Sequence, residues 1–189
     1  AGTYICTVTD ANGCTATTSV TITQPATALS ASITGQSNFN GFGVSCNGGS
    51  DGSITISASG NSGIYDYNWT SHPFISGSND STLLADAYTI DVMDLQCGGV
   101  VALSVTITEP NLLTYSTISA TDNTSCDPNI CNGSFGLTLS GGTQPYVYSW
   151  TGSSNTDSLR TDLCAGSYTI TASDANTCNT FTEVGTVVD

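Results

Sequence analysis

An all-β fold of tandem antiparallel sandwiches is what this sequence predicts, and three observations carry the prediction. Apolar residues recur with a period of two in segments such as 54–59 (ITISAS), 101–108 (VALSVTIT) and 135–140 (FGLTLS), with Thr and Val filling the pleats. That is the period of a strand with one buried face. Gly, Asn and Asp gather between those segments, where turns need positive φ or a side chain that bonds its own backbone. The third observation is a long-range repeat. The lines AGTYICTVTD, ADAYTIDVMD and AGSYTITASD place Tyr4, Tyr88 and Tyr168 about 84 and about 80 residues apart, a domain's length rather than a solenoid's. No segment carries a helical apolar stripe of useful length.

Taken in chain order, each line runs on to a cysteine: Cys14, Cys97 and Cys178. A second block, 51–69 (DGSITISASGNSGIYDYNW) and 132–150 (NGSFGLTLSGGTQPYVYSW), ends on Trp69 and Trp150. A third, TSVTITQP to Pro25 and LSVTITEP to Pro110, closes the unit. The units are therefore 26–110 and 111–189, preceded by residues 1–25 as the C-terminal strands F and G of an earlier copy. About seven short strands in about 80 residues is the pattern of an immunoglobulin-like sandwich. A Tyr that opens strand F there bonds back to the backbone after strand E, and the residue two further on points inward. Tyr4, Tyr88 and Tyr168 fit that corner, with Cys6, Ile90 and Ile170 as the inward residues. Cys6 then reads as a buried apolar thiol, and Trp69 and Trp150, on strand C, as core. Unit one also carries an insertion, TGQSNFNGFG at 34–43.

Composition narrows the function. Of 189 residues 8% are charged, with one basic residue, Arg160, against fifteen carboxylates and a net charge of −14. Hydroxyls and amides must keep such a chain in solution. Its field repels phosphate backbones and anionic lipid heads, which argues against nucleic acid and direct membrane partners. No apolar run approaches the roughly 20 residues of a membrane span. Eight Cys in so uncharged a chain point to an oxidising, extracellular setting. The sequence reads as a piece of something longer.

Topology constrains the cysteines. Cys46, at the end of strand A, belongs to the bottom of unit one, and Cys97, in the F–G turn, to its top. Strands about six residues long hold those edges roughly 20 Å apart, beyond the ~7 Å that a disulfide spans. Strand G descends through TITEPNLL (106–113) straight into unit two with no flexible linker, so the bottom of one unit abuts the top of the next. Cys46 is expected to bridge Cys178, and Cys97 to bridge the bottom loop of a preceding unit. Cys14 lacks its partner for the same reason. Cys164, just before the tyrosine corner, shares the bottom edge of unit two with Cys126 and Cys131, and one of those two should pair with it.

Catalysis finds little support. DANG at 10–13, matched at 174–177, reads as a hairpin turn before a calcium site, since one turn supplies too few oxygens. Asp51 and Glu109 remain candidates for a cation at a unit junction. GGSDG at 48–52 matches a nucleophile elbow around Ser50, yet no helix follows and His72 is the only His. CDPNIC (126–131) lacks two further zinc ligands. No acid pair or phosphate loop stands out, so the chain reads as non-catalytic. Phe39, Phe42, His72 and Phe74 lie in irregular segments and form the one aromatic patch available to a ligand.

The combination of AGTYICTVTDANGC (1–14), SCNGGSDGSI (45–54), PYVYSW (145–150) and TSVTITQP (18–25) resembles the SprB-type repeat of large surface adhesins of gliding bacteria in the Bacteroidetes group. The resemblance implies type IX export, a cell-surface filament and a role in adhesion or motility. It also gives meaning to DST (80–82) and DSL (157–159), which are similar to the O-glycan acceptor pattern of that group, with Ser81 and Ser158 as acceptors; plain solvated loops read equally well. The leading expectation is a stiff spacer whose partners are neighbouring repeats of the same polypeptide, further copies in a fibre, and glycans or cells at a distant tip. The alternative is a carbohydrate- or calcium-binding module, with calcium the only cofactor considered. A third reading takes residues 1–25 as an open edge that another chain completes.

Overall fold

The computed structural model describes residues 1–125 and 130–189. Its elements are all strands. A hairpin of β1 (Gly2–Thr9) and β2 (Thr15–Ile22) comes first. The first sandwich is built from β3 (Ser30–Gln36), β4 (Gly52–Ser59), β5 (Tyr65–Trp69), β6 (Asn79–Leu83), β7 (Asp86–Asp94) and β8 (Val100–Ile107). The second repeats that order with β9 (Thr114–Thr121), β10 (Gly133–Ser140), β11 (Val147–Trp150), β12 (Leu159–Leu163), β13 (Gly166–Ser173) and β14 (Thr180–Val187).

Strand order fixes the fold class. Sheets β3-β4-β6 and β5-β7-β8 in the first sandwich, and β9-β10-β12 and β11-β13-β14 in the second, are strands A-B-E against C-F-G of the immunoglobulin-like topology. All pairings are antiparallel. Each sandwich thus has six described strands rather than about seven. Residues 70–78 carry the chain from strand C to strand E without forming a strand D.

Alternation builds the two cores. Along β7, Tyr88, Ile90, Val92 and Asp94 are buried while the residues between them face outward. Trp69 is fully buried, meets Tyr88 edge-on at 5.9 Å, and donates its indole N–H to Gly77 O at 3.0 Å. Trp150 repeats this against Phe135 at 6.0 Å, donating to Asp157 O at 2.9 Å. Tyr88 donates its hydroxyl to Leu84 O at 2.9 Å and Tyr168 to Cys164 O at 3.1 Å, which is the tyrosine corner in both units. Tyr168 is half-buried, and the Arg160 guanidinium lies over both its ring and that of Trp150. Gly60 and Gly141 close the B–C turns at φ +91° and +74°; a Cβ on either would sit 2.0 Å from a backbone oxygen, of Ala28 and Leu112 respectively. Only glycine serves there.

Two expectations fail at the chain's start. Tyr4 is 58% exposed and Cys6 is exposed, so neither is core. The pleat places them as it places Tyr88 and Ile90, but β1–β2 is a two-stranded sheet with no second sheet over it among the described residues. A third correction concerns strand A. It ends at Gln36, and Cys46 lies in a long A–B loop, residues 37–51, rather than at the strand's end.

Candidate functional site

The chemistry of this molecule is concentrated where one sandwich meets the next. The pairings Gly52 with Leu83 and Asp86 with Ile107 put the A–B loop, the E–F corner and the end of strand G at one end, the bottom, of the first sandwich. At the top of the second lie the start of β9 and the F–G turn between β13 and β14. Cys46 and Cys178 are joined across that junction, with Cα atoms 5.4 Å apart.

Polar contacts surround the bridge. Asn176 Nδ2 donates to Ser45 O at 2.8 Å, and Asn176 Oδ1 accepts from Asn40 Nδ2 at 2.9 Å. Asn40, at φ +53°, and Gly41, at +100°, form the tip of a small hairpin in which Phe39 and Phe42 pair. The later part of the insertion in unit one, residues 37–43, is therefore a finger of the A–B loop that reaches the next sandwich. The exit of strand G is held as well: Gly43 and Val44 N–H donate to Thr108 O, Gly48 N–H to Glu109 Oε2 at 2.6 Å, and Asn47 Nδ2 to Pro110 O at 3.1 Å. A cavity of about 130 Å³, lined by Asn47, Leu112, Leu113, Gly142 and the two cysteines, remains inside.

A carboxylate sets the cysteine of each F–G turn, and in the two sandwiches it is buried. Asp174, 1% exposed, accepts Thr143 N–H and Cys178 N–H, both at 2.9 Å, so it ties the F–G turn to the B–C turn. Asp94, 3% exposed, does the same with the Ser62 N–H and hydroxyl on one oxygen and the Gln96 and Cys97 N–H groups on the other. Asp10 repeats the turn half of the pattern with Asn12 and Cys14 N–H. Burial alone would raise the Asp94 pKa; the hydrogen bonds from Ser62, Cys97 and Gln96 outweigh it and lower it from 3.8 to about 2. The sign follows. The folded pKa lies below the unfolded one, so the stabilisation is complete above about pH 4 and is lost as pH falls toward about 2. Asp94→Asn is expected to weaken the first sandwich at pH 7 and to flatten its stability between pH 4 and pH 2, read from urea midpoints; an unchanged acid slope counts against this role.

The remaining expected residues divide. Cys131 pairs with Cys164, Cα atoms 4.5 Å apart, at the bottom of the second sandwich; Cys126 lies outside the described residues. Cys97 and Cys14 are exposed free thiols. Asp51 Oδ1 accepts Ser45 N–H at 2.9 Å, and Glu109 is engaged with Gly48 as above. Ser81 is exposed on β6, and Ser158 is half-buried. The aromatic patch is not one surface. Phe39 and Phe42 belong to the finger, whereas His72 stacks on Tyr88 at 4.4 Å with Nε2 3.3 Å from Asp86, and Phe74 stands fully exposed. What the sequence reading missed are the amides, Asn40, Asn47 and Asn176. The shared DAN of the F–G turns held the signal for Asn176, and the insertion's position just before Cys46 held that for Asn40.

The SprB repeat family model matches residues 44–73 and 119–155. One matched stretch falls in each sandwich. Each matched stretch includes strands B and C with the core Trp of its sandwich, while the F–G turns with Cys97 and Cys178 lie outside. No curated protein matches the chain significantly. Among solved structures it is similar to three N-terminal domains of the highly immunogenic outer capsid protein Hoc of bacteriophage RB49, at 14% identity and a TM-score of 0.45 over 85% of this chain. Domains 4 and 5 of the S-layer protein SbsC are similar at 13% identity and a TM-score of 0.36; the match covers 88% of this chain and 100% of theirs. The chain spans 59% of the Hoc structure's length. The two stretches that are similar to the SprB repeat therefore occupy equivalent places in two sandwiches arranged in tandem.

Proposed function

We propose that this pair of SprB repeats is a stiff, disulfide-stapled spacer in an extracellular adhesin or surface fibre, exported by the type IX route and serving adhesion or motility by holding a contact site away from the cell. The observation that supports it is the junction. A covalent bridge, Cys46 to Cys178, and a ring of amide contacts occupy the place where a flexible linker would otherwise sit. A swivel needs Gly/Ser-rich chain between domains, but here β8 ends at Ile107 and β9 begins at Thr114, and Thr108, Glu109 and Pro110 between them are each hydrogen-bonded to the A–B loop. Each sandwich buries one carboxylate, Asp94 or Asp174, and one indole, Trp69 or Trp150, in structural contacts, which suits a load-bearing rod. The test is the angle between the sandwiches. Small-angle scattering and negative-stain images of the oxidised chain are expected to give one angle with a narrow spread. A continuous range of angles under the same conditions overturns the spacer reading.

A further inference from the structure

The top of the first sandwich carries the device that is closed at the top of the second, but there it is open. Asp94 caps the β7–β8 turn and accepts the Cys97 N–H at 2.5 Å, as Asp174 accepts that of Cys178. Cys178 is bonded to the A–B loop of the sandwich before it, whereas Cys97 is an exposed free thiol. A second, independent feature marks the same end. Leu95 is 63% exposed and Ile64 49% exposed, and the two are adjacent, Leu95 N–H donating to Ile64 O at 3.1 Å. Large apolar side chains exposed at the tip of a sandwich gain by leaving water. At the matching end of the second sandwich, Ala175 stands where Leu95 does, and Leu113, 7% exposed, and Leu112, 65% exposed, line a cavity shared with Cys46 and Asn47 of the neighbour.

The internal repeat names the occupant. We infer that the top of the first sandwich is a docking face for the A–B loop of a further SprB repeat, and that Cys97 forms a disulfide with a cysteine held in that loop as Cys46 is. The inference rests on the spacer reading and extends it to a junction on the other side of this sandwich. Joining the two thiols releases two protons and two electrons; a disulfide oxidant such as oxidised glutathione accepts them and leaves as two thiols. Partial desolvation, with the Asp94 carboxylate beside it, raises the Cys97 pKa. A raised pKa keeps the group in its protonated, slower-reacting form.

The chain itself supplies the test. Duplicating its first sandwich in tandem (residues 1–110, then 26–110 again, then 111–189) creates one interior junction at which Cys46 of the first copy faces Cys97 of the second. After oxidation in glutathione buffer, denaturation without reductant and alkylation, this chain is expected to take up no more alkyl groups than the parent. Its non-reducing digest should contain a Cys46-to-Cys97 peptide pair. Two additional alkylated thiols, with the Cys46-to-Cys178 pair intact, overturn the inference and leave the spacer reading standing; absence of the Cys46-to-Cys178 pair from the parent chain overturns the spacer reading instead. Should the duplicated chain not fold, a turn graft decides: residues 174–178 replaced by the sequence of residues 94–97 should keep a disulfide to Cys46. Release of Cys46 as a thiol in that variant overturns the inference.

Discussion

Replacing Cys46 and Cys178 together by Ser is expected to turn one narrow inter-sandwich angle into a broad distribution, and to cost about 2–4 kcal/mol in the transition that separates and unfolds the units. The bridge closes a sequence separation of 132 residues, where loop-closure entropy is large. What remains in the double variant is the amide set, Asn176 on Ser45 and Asn40, and Asn47 on Pro110, each exchangeable with water at about 0.5–1.5 kcal/mol. Scattering curves before and after substitution check the first part, and calorimetry the second. If the angle stays narrow without the sulfurs, the amides and the short linker hold the junction, and the disulfide is a lock on a contact already made. Asn176→Ala would then be the damaging change, since it removes the donor to Ser45 and the acceptor for Asn40 together.

Trp69→Ala is expected to unfold the first sandwich while leaving the second standing. Trp69 is fully buried, packs edge-on against Tyr88 and satisfies Gly77 O with its indole N–H. Deleting it opens a cavity and strands that carbonyl, at about 3–5 kcal/mol, a large share of the ~5–15 kcal/mol that holds a domain. The two cores are separate: Val44, Ile54, Leu83 and Ile90 surround Trp69, whereas Leu137, Leu163 and Ile170 surround Trp150. Chemical denaturation of Trp69→Ala, followed by Trp150 fluorescence, should therefore give the parent's second transition nearly unchanged, and Trp150→Ala should show the mirror image. Loss of both sandwiches in one step from either substitution would mean that the junction couples them into a single folding unit. That coupling is itself a measure of how stiff the staple is.

The glycan expectation at Ser81 and Ser158 divides on exposure. Ser81 is open to an enzyme, while Ser158 is half-buried and its carbonyl accepts Leu137 N–H at 2.8 Å. Intact-mass measurement of the chain from its native source is expected to show sugar at Ser81 ahead of Ser158; an unmodified mass discards the motif reading at both.

Local signals were legible because they act over a few residues. The period of two fixed which face of β4, β7, β8, β10 and β13 turns inward, and the Tyr88 and Tyr168 corners and the Trp69 and Trp150 cores followed from position along those strands. The same period misled at Tyr4 and Cys6. Alternation states which side chains share a face, but whether a second sheet covers that face depends on chain that is distant in sequence. The A–B loop was illegible for a related reason. Its finger at Asn40, its hold on Thr108, Glu109 and Pro110, and the burial of Asp94 beneath Ser62 each join residues far apart along the chain, through hydrogen bonds that composition and spacing do not encode.

By itself, then, the sequence determined the strands, the repeat that pairs Tyr88 with Tyr168 and Trp69 with Trp150, and the end of the sandwich on which Cys46, Cys97 and Cys178 lie. Only the tertiary structure decided that Cys131 is the partner of Cys164, that Asn176 and Asn40 meet across the junction, and that Cys97, Leu95 and Ile64 stand open together. The physical reason is range: backbone geometry is set by neighbours in sequence, whereas a bridge or a docking face exists only once two folded ends approach to within a few ångströms.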